Sequence, residues 1–184
     1  MNENTANRSN VYKLAQVAVI TAVMCVLAPM AIPIGPVPIS LTNFVIYLAL
    51  YVLGTKMGTV SFICYLILGT VGLPVFSGFT GGLGKLMGPT GGYLIGFIPM
   101  ALIAGLFIEK FDSKVMHFVG MALGTIVCYA FGTAWFCYLA GVGLHKALAA
   151  CVIPFLPGDT IKIVISLFVG PILVKALTKA HLLN

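Results

Sequence analysis

Residues 157–178 read Pro157-Gly158-Asp159-Thr160-Ile161-Lys162-Ile163-Val164-Ile165-Ser166-Leu167-Phe168-Val169-Gly170-Pro171-Ile172-Leu173-Val174-Lys175-Ala176-Leu177-Thr178. About 20 apolar residues suffice for a helix to cross a bilayer, so this run is read as a membrane span. It nonetheless holds an acid and a base, Asp159 and Lys162, near its beginning. Ionisable groups at membrane depth cost a few kcal/mol or more each unless they pair or face water, and so they mark functional positions. Pro157 and Gly158 suit a helix start. Asp159 and Lys162 then stand at i and i+3 on one face, with the polar N–H groups of the helix terminus beside them. Two readings follow: a site offering an acceptor and a donor side by side, or an ion pair that neutralises itself while the lysine snorkels outward. The site reading is preferred, because a purely structural pair can be replaced by apolar residues at little cost.

The rest of the chain agrees with the membrane assignment. Of its 184 residues 60% are hydrophobic and 8% charged, and the mean hydropathy is +1.12, far from a soluble domain. The expected architecture is an all-α integral membrane protein, a single polytopic domain over 1–184 with a short polar N-terminal tail over about 1–10. Six spanning helices are predicted near 12–33, 41–54, 57–73, 91–108, 116–140 and 158–178. The run from Leu14 to Ile34 is read as a retained first helix, because Ala28-Pro29-Met30-Ala31 makes a poor signal cleavage site.

With the N-terminus in the cytoplasm, Arg8, Lys13, Lys56, Lys110, Lys114, Lys175 and Lys179 fall inside, and only Lys85 and Lys146 fall outside. This obeys the positive-inside rule and places both termini in the cytoplasm. The net charge of +6 is thereby a matter of topology and calls for no nucleic acid. Cys25, Cys64, Cys128, Cys137 and Cys151 show no CxxC spacing, and His117, His145 and His181 no ligand spacing, so neither a disulfide framework nor a metal site is expected.

Two links stand out. Ile32-Pro33-Ile34-Gly35-Pro36-Val37-Pro38-Ile39 cannot be regular helix, because three prolines remove donors and fix φ; it reads as an extended lid on the outer side. The link from Pro74 to Gly92 is glycine-rich yet apolar, and such backbone is tolerated at membrane depth only if it is buried in protein or lines a cavity. It fails as a phosphate-binding loop twice: Phe79 stands where the first glycine belongs, and Leu86 follows Lys85 where Ser or Thr is needed. Gly88, Gly92 and Gly96 form a small-xxx-small ridge for helix packing, while Lys85 and the loop backbone could bind an anion. Ala15, Ala18 and Ala22 give a similar stripe on the first helix, suited either to core packing or to docking another subunit. Asn43 is either an interhelical hydrogen bond or a pocket group. Trp135 and tyrosines such as Tyr93 and Tyr129 could stack on a flat ligand, although interfacial anchoring is the commoner role.

Three motifs in order, Ile34-Gly35-Pro36-Val37-Pro38-Ile39-Ser40-Leu41, Gly88-Pro89-Thr90-Gly91-Gly92-Tyr93-Leu94-Ile95-Gly96 and Pro157-Gly158-Asp159-x-x-Lys162, resemble the BioY family. These are biotin-binding S components of energy-coupling factor (ECF) transporters. The resemblance implies six helices around an outward-facing biotin pocket capped by loops, in the cell membrane. It implies as partners a transmembrane coupling subunit and two cytoplasmic ATPases, with no cofactor on this chain, since ATP is used by the partners. Asp159 and Lys162 would hold the ureido ring: a carboxylate accepts from its N–H, and an ammonium donates to its carbonyl. Lys85 with the glycine-rich loop would meet the carboxylate, and Tyr93 and Asn43 complete the substrate-binding set. Members of the family often carry Gly-Gly-Arg-Gly-Gly where this chain has Gly78-Phe79-Thr80-Gly81-Gly82, which leaves open which group meets the carboxylate. Ala15, Ala18 and Ala22 become the expected contact with the coupling subunit.

Other readings of the residues are a sibling S component for thiamine or riboflavin, a membrane enzyme using Asp159 as general acid/base on a lipid-linked substrate, and an adaptor without a ligand. An enzyme turns its substrate over and an adaptor tolerates Asp159→Asn.

Overall fold

The computed structural model describes residues 3–33, 37–180 and 182. Helix α1 (Glu3–Leu27) leads through a turn to strand β1 (Ala31–Ile32), which pairs antiparallel with β2 (Ile39–Ser40). Then come α2 (Thr42–Thr70), the short α3 (Leu83–Met87), α4 (Gly91–Lys110), α5 (Lys114–Ala140), a second short helix α6 (Leu144–Cys151) and α7 (Leu156–Lys179). Among the described residues, α2, α4, α5 and α7 are long and apolar enough to cross a membrane. Val11–Leu27 forms a shorter apolar helix.

Several boundaries differ from expectation. The first helix ends at Leu27 instead of 33, where Pro29 and the β1–β2 pair take over, and residues 3–10 of the expected tail are helical. The link is extended at both its ends, with Ala31 opposite Ser40 and Ile32 opposite Ile39; Ile34-Gly35-Pro36 lies outside the described residues, as does His181. The short helices α3 and α6 fall between the predicted spans. The two predicted spans 41–54 and 57–73 correspond to the two helices that make up α2 and meet at Gly54, whose φ of 75° and ψ of 177° belong to no helix. That backbone needs glycine, since a side chain at such φ is strained. The break frees the amide of Thr55, and Glu109 Oε1 accepts from it at 2.6 Å. A carboxylate at the end of α4 thus caps the second half of α2.

The central packing unit is α4 against α5, and glycine makes it close. A Cβ on Gly92 would stand 2.3 Å from Trp135 Cβ, one on Gly96 3.1 Å from the Cys128 carbonyl, and one on Gly124 2.8 Å from the Met100 carbonyl. Gly88 does not join this ridge; the nearest atoms to a Cβ there would be backbone atoms of α3. Around this pair pack α2, α7 and α1, enclosing a core in which Tyr47, Phe62, Tyr65, Phe76, Met100 and Met121 are fully buried. Thr21 Oγ1 meets Ser61 Oγ at 3.0 Å, joining α1 to α2.

The two ends of the bundle differ. One end holds the Gly54 break, the α4–α5 connection and the C-terminal part of α7, linked by Thr55 to Glu109, by Tyr51 to His117 at 3.0 Å and by Gln16 to the Leu182 carbonyl at 2.7 Å. Lys13, Lys56, Lys110, Lys114, Lys175 and Lys179 all lie towards it. At the opposite end the starts of α2, α4 and α7 converge beneath the β1–β2 pair and the link over 74–90.

Candidate functional site

Under those converging helix starts is a cavity whose non-atom space, about 630 Å³, includes open solvent at its mouth. Its apolar wall includes Leu94, Phe97, Met100 and Phe155, and its polar groups include Asn43, Ser77, Thr90, Thr125, Asp159 and Lys162. Most of the wall therefore suits an apolar ligand body, with a few convergent polar groups to orient it.

Asp159 and Lys162 lie in the first turns of α7, which begins at Leu156 with Pro157 in its first positions. Lys162 Nζ donates to Asp159 Oδ1 at 2.9 Å, and the two side chains are only 12% and 11% exposed. The pair is not isolated. Lys162 also donates to the Ser40 carbonyl on β2 at 2.6 Å and to Asn43 Oδ1 on α2 at 3.1 Å. Tyr129 on α5 donates to Asp159 Oδ2 at 2.5 Å. One ammonium thus ties the lid, α2 and α7, and one carboxylate ties α7 to α5. The snorkelling alternative is not what the chain does, since Lys162 points into protein acceptors.

Of the five residues read from the sequence as substrate-binding, four line the cavity: Asn43, Tyr93, Asp159 and Lys162. Tyr93 OH donates to the Cys151 carbonyl at 3.1 Å, so that α6 is held against α4. Lys85 sits on α3 and is not among the lining residues; burial pushes its pKa down. The link that carries it does reach the cavity, through Ser77 and Thr90. Ala15, Ala18 and Ala22 are exposed on α1, alongside Val11, Leu14, Val19 and Val26, so they are not core packing within this chain. Trp135 donates to the Gly88 carbonyl at 2.9 Å, and His117 bridges Tyr51 and the Phe111 carbonyl at the far end.

Sequence reasoning gave Tyr129 no specific role, nor did it find the Ser40 carbonyl, Ser77 or Thr90. The one signal for Tyr129 is chemical: a phenol in an apolar helix needs an acceptor. Nothing local says that this acceptor is thirty residues away.

A polytopic helical membrane protein with an apolar-walled cavity that holds a few convergent polar groups at one end is the class that these features define. The description of the BioY family matches residues 1–179, and the chain belongs to that family. It is similar to the biotin transporter BioY of Thermotoga maritima, 39% identical over 161 residues that cover 86% of this chain and 93% of that protein. The probable biotin transporter BioY of Pyrococcus horikoshii is 39% identical over 150 residues, covering 82% and 88%. Among solved structures, the S-component for biotin from an ECF-type ABC transporter superposes with a TM-score of 0.84 at 32% identity, covering 95% of each chain.

Proposed function

We propose that this chain is the biotin-binding S component of an ECF transporter, which captures biotin from outside the cell and delivers it inward with energy-providing partners. The observation that carries the reading is the Asp159–Lys162 pair, buried in an apolar-walled cavity of a chain that belongs to the BioY family. Biotin has the complementary chemistry: a ureido ring with two N–H donors and a carbonyl acceptor, an apolar bicycle and a carboxylate tail. The ureido ring lies against Asp159 and its neighbours, since a buried carboxylate is a strong acceptor. The bicycle packs against Phe97, Met100 and Phe155, and the carboxylate extends towards Ser77 and Thr90 of the glycine-rich link.

Six spans are α1, the two halves of α2 on either side of Gly54, α4, α5 and α7. The gathering of lysines at the end opposite the cavity favours a cytoplasmic location for that end and for both termini, with the cavity opening outward. The exposed Ala15, Ala18 and Ala22 stripe is the contact for a transmembrane coupling subunit, because small residues let helix backbones approach closely. Two cytoplasmic ATPases hydrolyse ATP, and this chain needs no cofactor of its own.

Isothermal titration of biotin into the purified chain in detergent, with thiamine and riboflavin as controls, tests the proposal. Saturable binding near one biotin per chain is expected. Heat with another vitamin and none with biotin refutes the substrate, and silence with all three from a folded sample refutes the binding role.

A further inference from the structure

The glycine-rich link gives the cavity two side chains, Ser77 and Thr90, and neither carries a charge. Lys162 is the one Lys or Arg among the residues that line the cavity, and Asp159 Oδ1, 2.9 Å away, offsets its charge. Lys85, the cation of the link, is not among them. The start of α4 adds few free donors, because the Gly91, Tyr93 and Leu94 amides already donate to the Gly88 and Thr90 carbonyls at 3.0, 3.1 and 3.1 Å. The two hydroxyls differ in what they can offer. Thr90 Oγ1 donates its proton to the Lys85 carbonyl at 3.4 Å, so that it turns lone pairs and no proton to a ligand. Ser77 Oγ has no hydrogen-bond partner among the described residues and is free to donate or accept. An acceptor beside such a hydroxyl suits an amide, which donates through N–H and accepts through its carbonyl. A carboxylate only accepts, and it meets in Thr90 a second acceptor.

We propose that the tail end of this cavity takes a neutral amide as well as a carboxylate, and that the chain binds amides of biotin, the class that includes biotinyl-lysine, beside free biotin. This rests on the biotin reading above, in which the tail extends towards Ser77 and Thr90. There the Ser77 hydroxyl donates to the amide carbonyl, and Thr90 Oγ1 accepts from the amide N–H. The group beyond the amide has somewhere to go: the cavity is open to solvent at its mouth, Ser77 is half-buried, and the adjoining Gly78, Phe79 and Thr80 are exposed. A substituent that passes Ser77 therefore reaches water and displaces no packed side chain.

Competition titration of the purified chain in detergent, with biotin, biotinamide and biotinyl-lysine, tests the proposal without any variant. A cation facing the tail would place free biotin about 10-fold or more ahead of biotinamide, because hydrogen bonds to charged groups are the stronger kind. The expected result is biotinamide within about 5-fold of biotin, and biotinyl-lysine within about 10-fold. A larger loss for either amide overturns the proposal. Lys85→Met should leave both ratios unchanged, and a shift of about 5-fold or more towards the amides overturns the proposal as well, since Lys85 would then face the tail. Ser77→Lys puts a cation where the tail ends and should open a preference for biotin over biotinamide of about 10-fold or more. A ratio unchanged by that substitution overturns the placement of the amide at Ser77. Wild-type chain that binds neither biotin nor its amides removes the biotin reading and this proposal together, whereas biotin bound and amides refused removes this proposal alone.

Discussion

Replacing Lys162 with Met removes the group on which the cavity end of the bundle converges. Its hydrogen bonds to the Ser40 carbonyl, Asp159 and Asn43, at 2.6, 2.9 and 3.1 Å, all vanish. Asp159 stays behind as a buried carboxylate with Tyr129 as its remaining hydrogen-bond partner. Breaking one side of a buried pair in this way costs about 3–5 kcal/mol, whereas replacing both partners with neutral groups of similar shape is close to neutral. At about 1.4 kcal/mol per decade, the single variant should lose between two and four decades in its folded-to-unfolded ratio. Asp159→Asn combined with Lys162→Met should recover most of that loss. Both proteins should fail to bind biotin, so stability and not affinity separates them. Equilibrium unfolding in mixed detergent micelles, followed by the fluorescence of Trp135, the single tryptophan of the chain, reads the difference directly. A Lys162→Met protein within about 0.5 kcal/mol of wild type would refute the reasoning. So would a double variant no more stable than the single one, since the cost would then not arise from the orphaned carboxylate.

Gly132→Ala would place a Cβ 2.3 Å from ring carbons of the buried Tyr93, and overpacking of this kind should cost about 1–3 kcal/mol in the same unfolding assay, with weaker biotin binding as the ring shifts in the cavity wall. Glu109→Ala leaves the Thr55 amide at the α2 break without its acceptor, which should cost about 1–3 kcal/mol and speed exchange of that amide hydrogen; Glu109→Gln, which keeps an acceptor, should lose less. Lys85→Met should leave biotin affinity unchanged, because Lys85 lies outside the cavity lining. Burial lowers the pKa of Lys85 from 10.5, so in the alkaline window below that value the unfolded chain holds a proton that the folded chain has released. Stability contributed there rises with pH, and Lys85→Met should flatten that part of a stability profile measured against pH.

The apolar character of α2, α4, α5 and α7 was legible because hydropathy is a sum over neighbouring residues. The break in α2 was also legible, as two predicted spans meeting at Gly54. Its repair was not: Glu109 reaches Thr55 from 54 residues away. The glycine ridge was read as a repeat along one helix, but the close α4–α5 approach is made from both sides, by Gly92 and Gly96 of α4 against Trp135 and Phe131, and by Gly124 and Gly132 of α5 against Met100 and Tyr93. The boundary at Leu27 was missed because apolarity continues past the point where Pro29 and the strand pair redirect the chain.

The sequence by itself determined that this is a membrane protein with an acid and a base one turn apart in its last span, and it carried motifs that resemble one family. Each of these is written in residues close together along the chain. Only the tertiary structure decided what surrounds that pair. Tyr129, Asn43 and the Ser40 carbonyl come from 30, 119 and 122 residues away, and Lys85, the charged contact expected from the sequence, is not among the residues that line the cavity. The physical reason is that helix geometry fixes neighbours at i+3, whereas the register of α2, α5 and α7 against one another is set by close packing across the whole core, which no local stretch encodes.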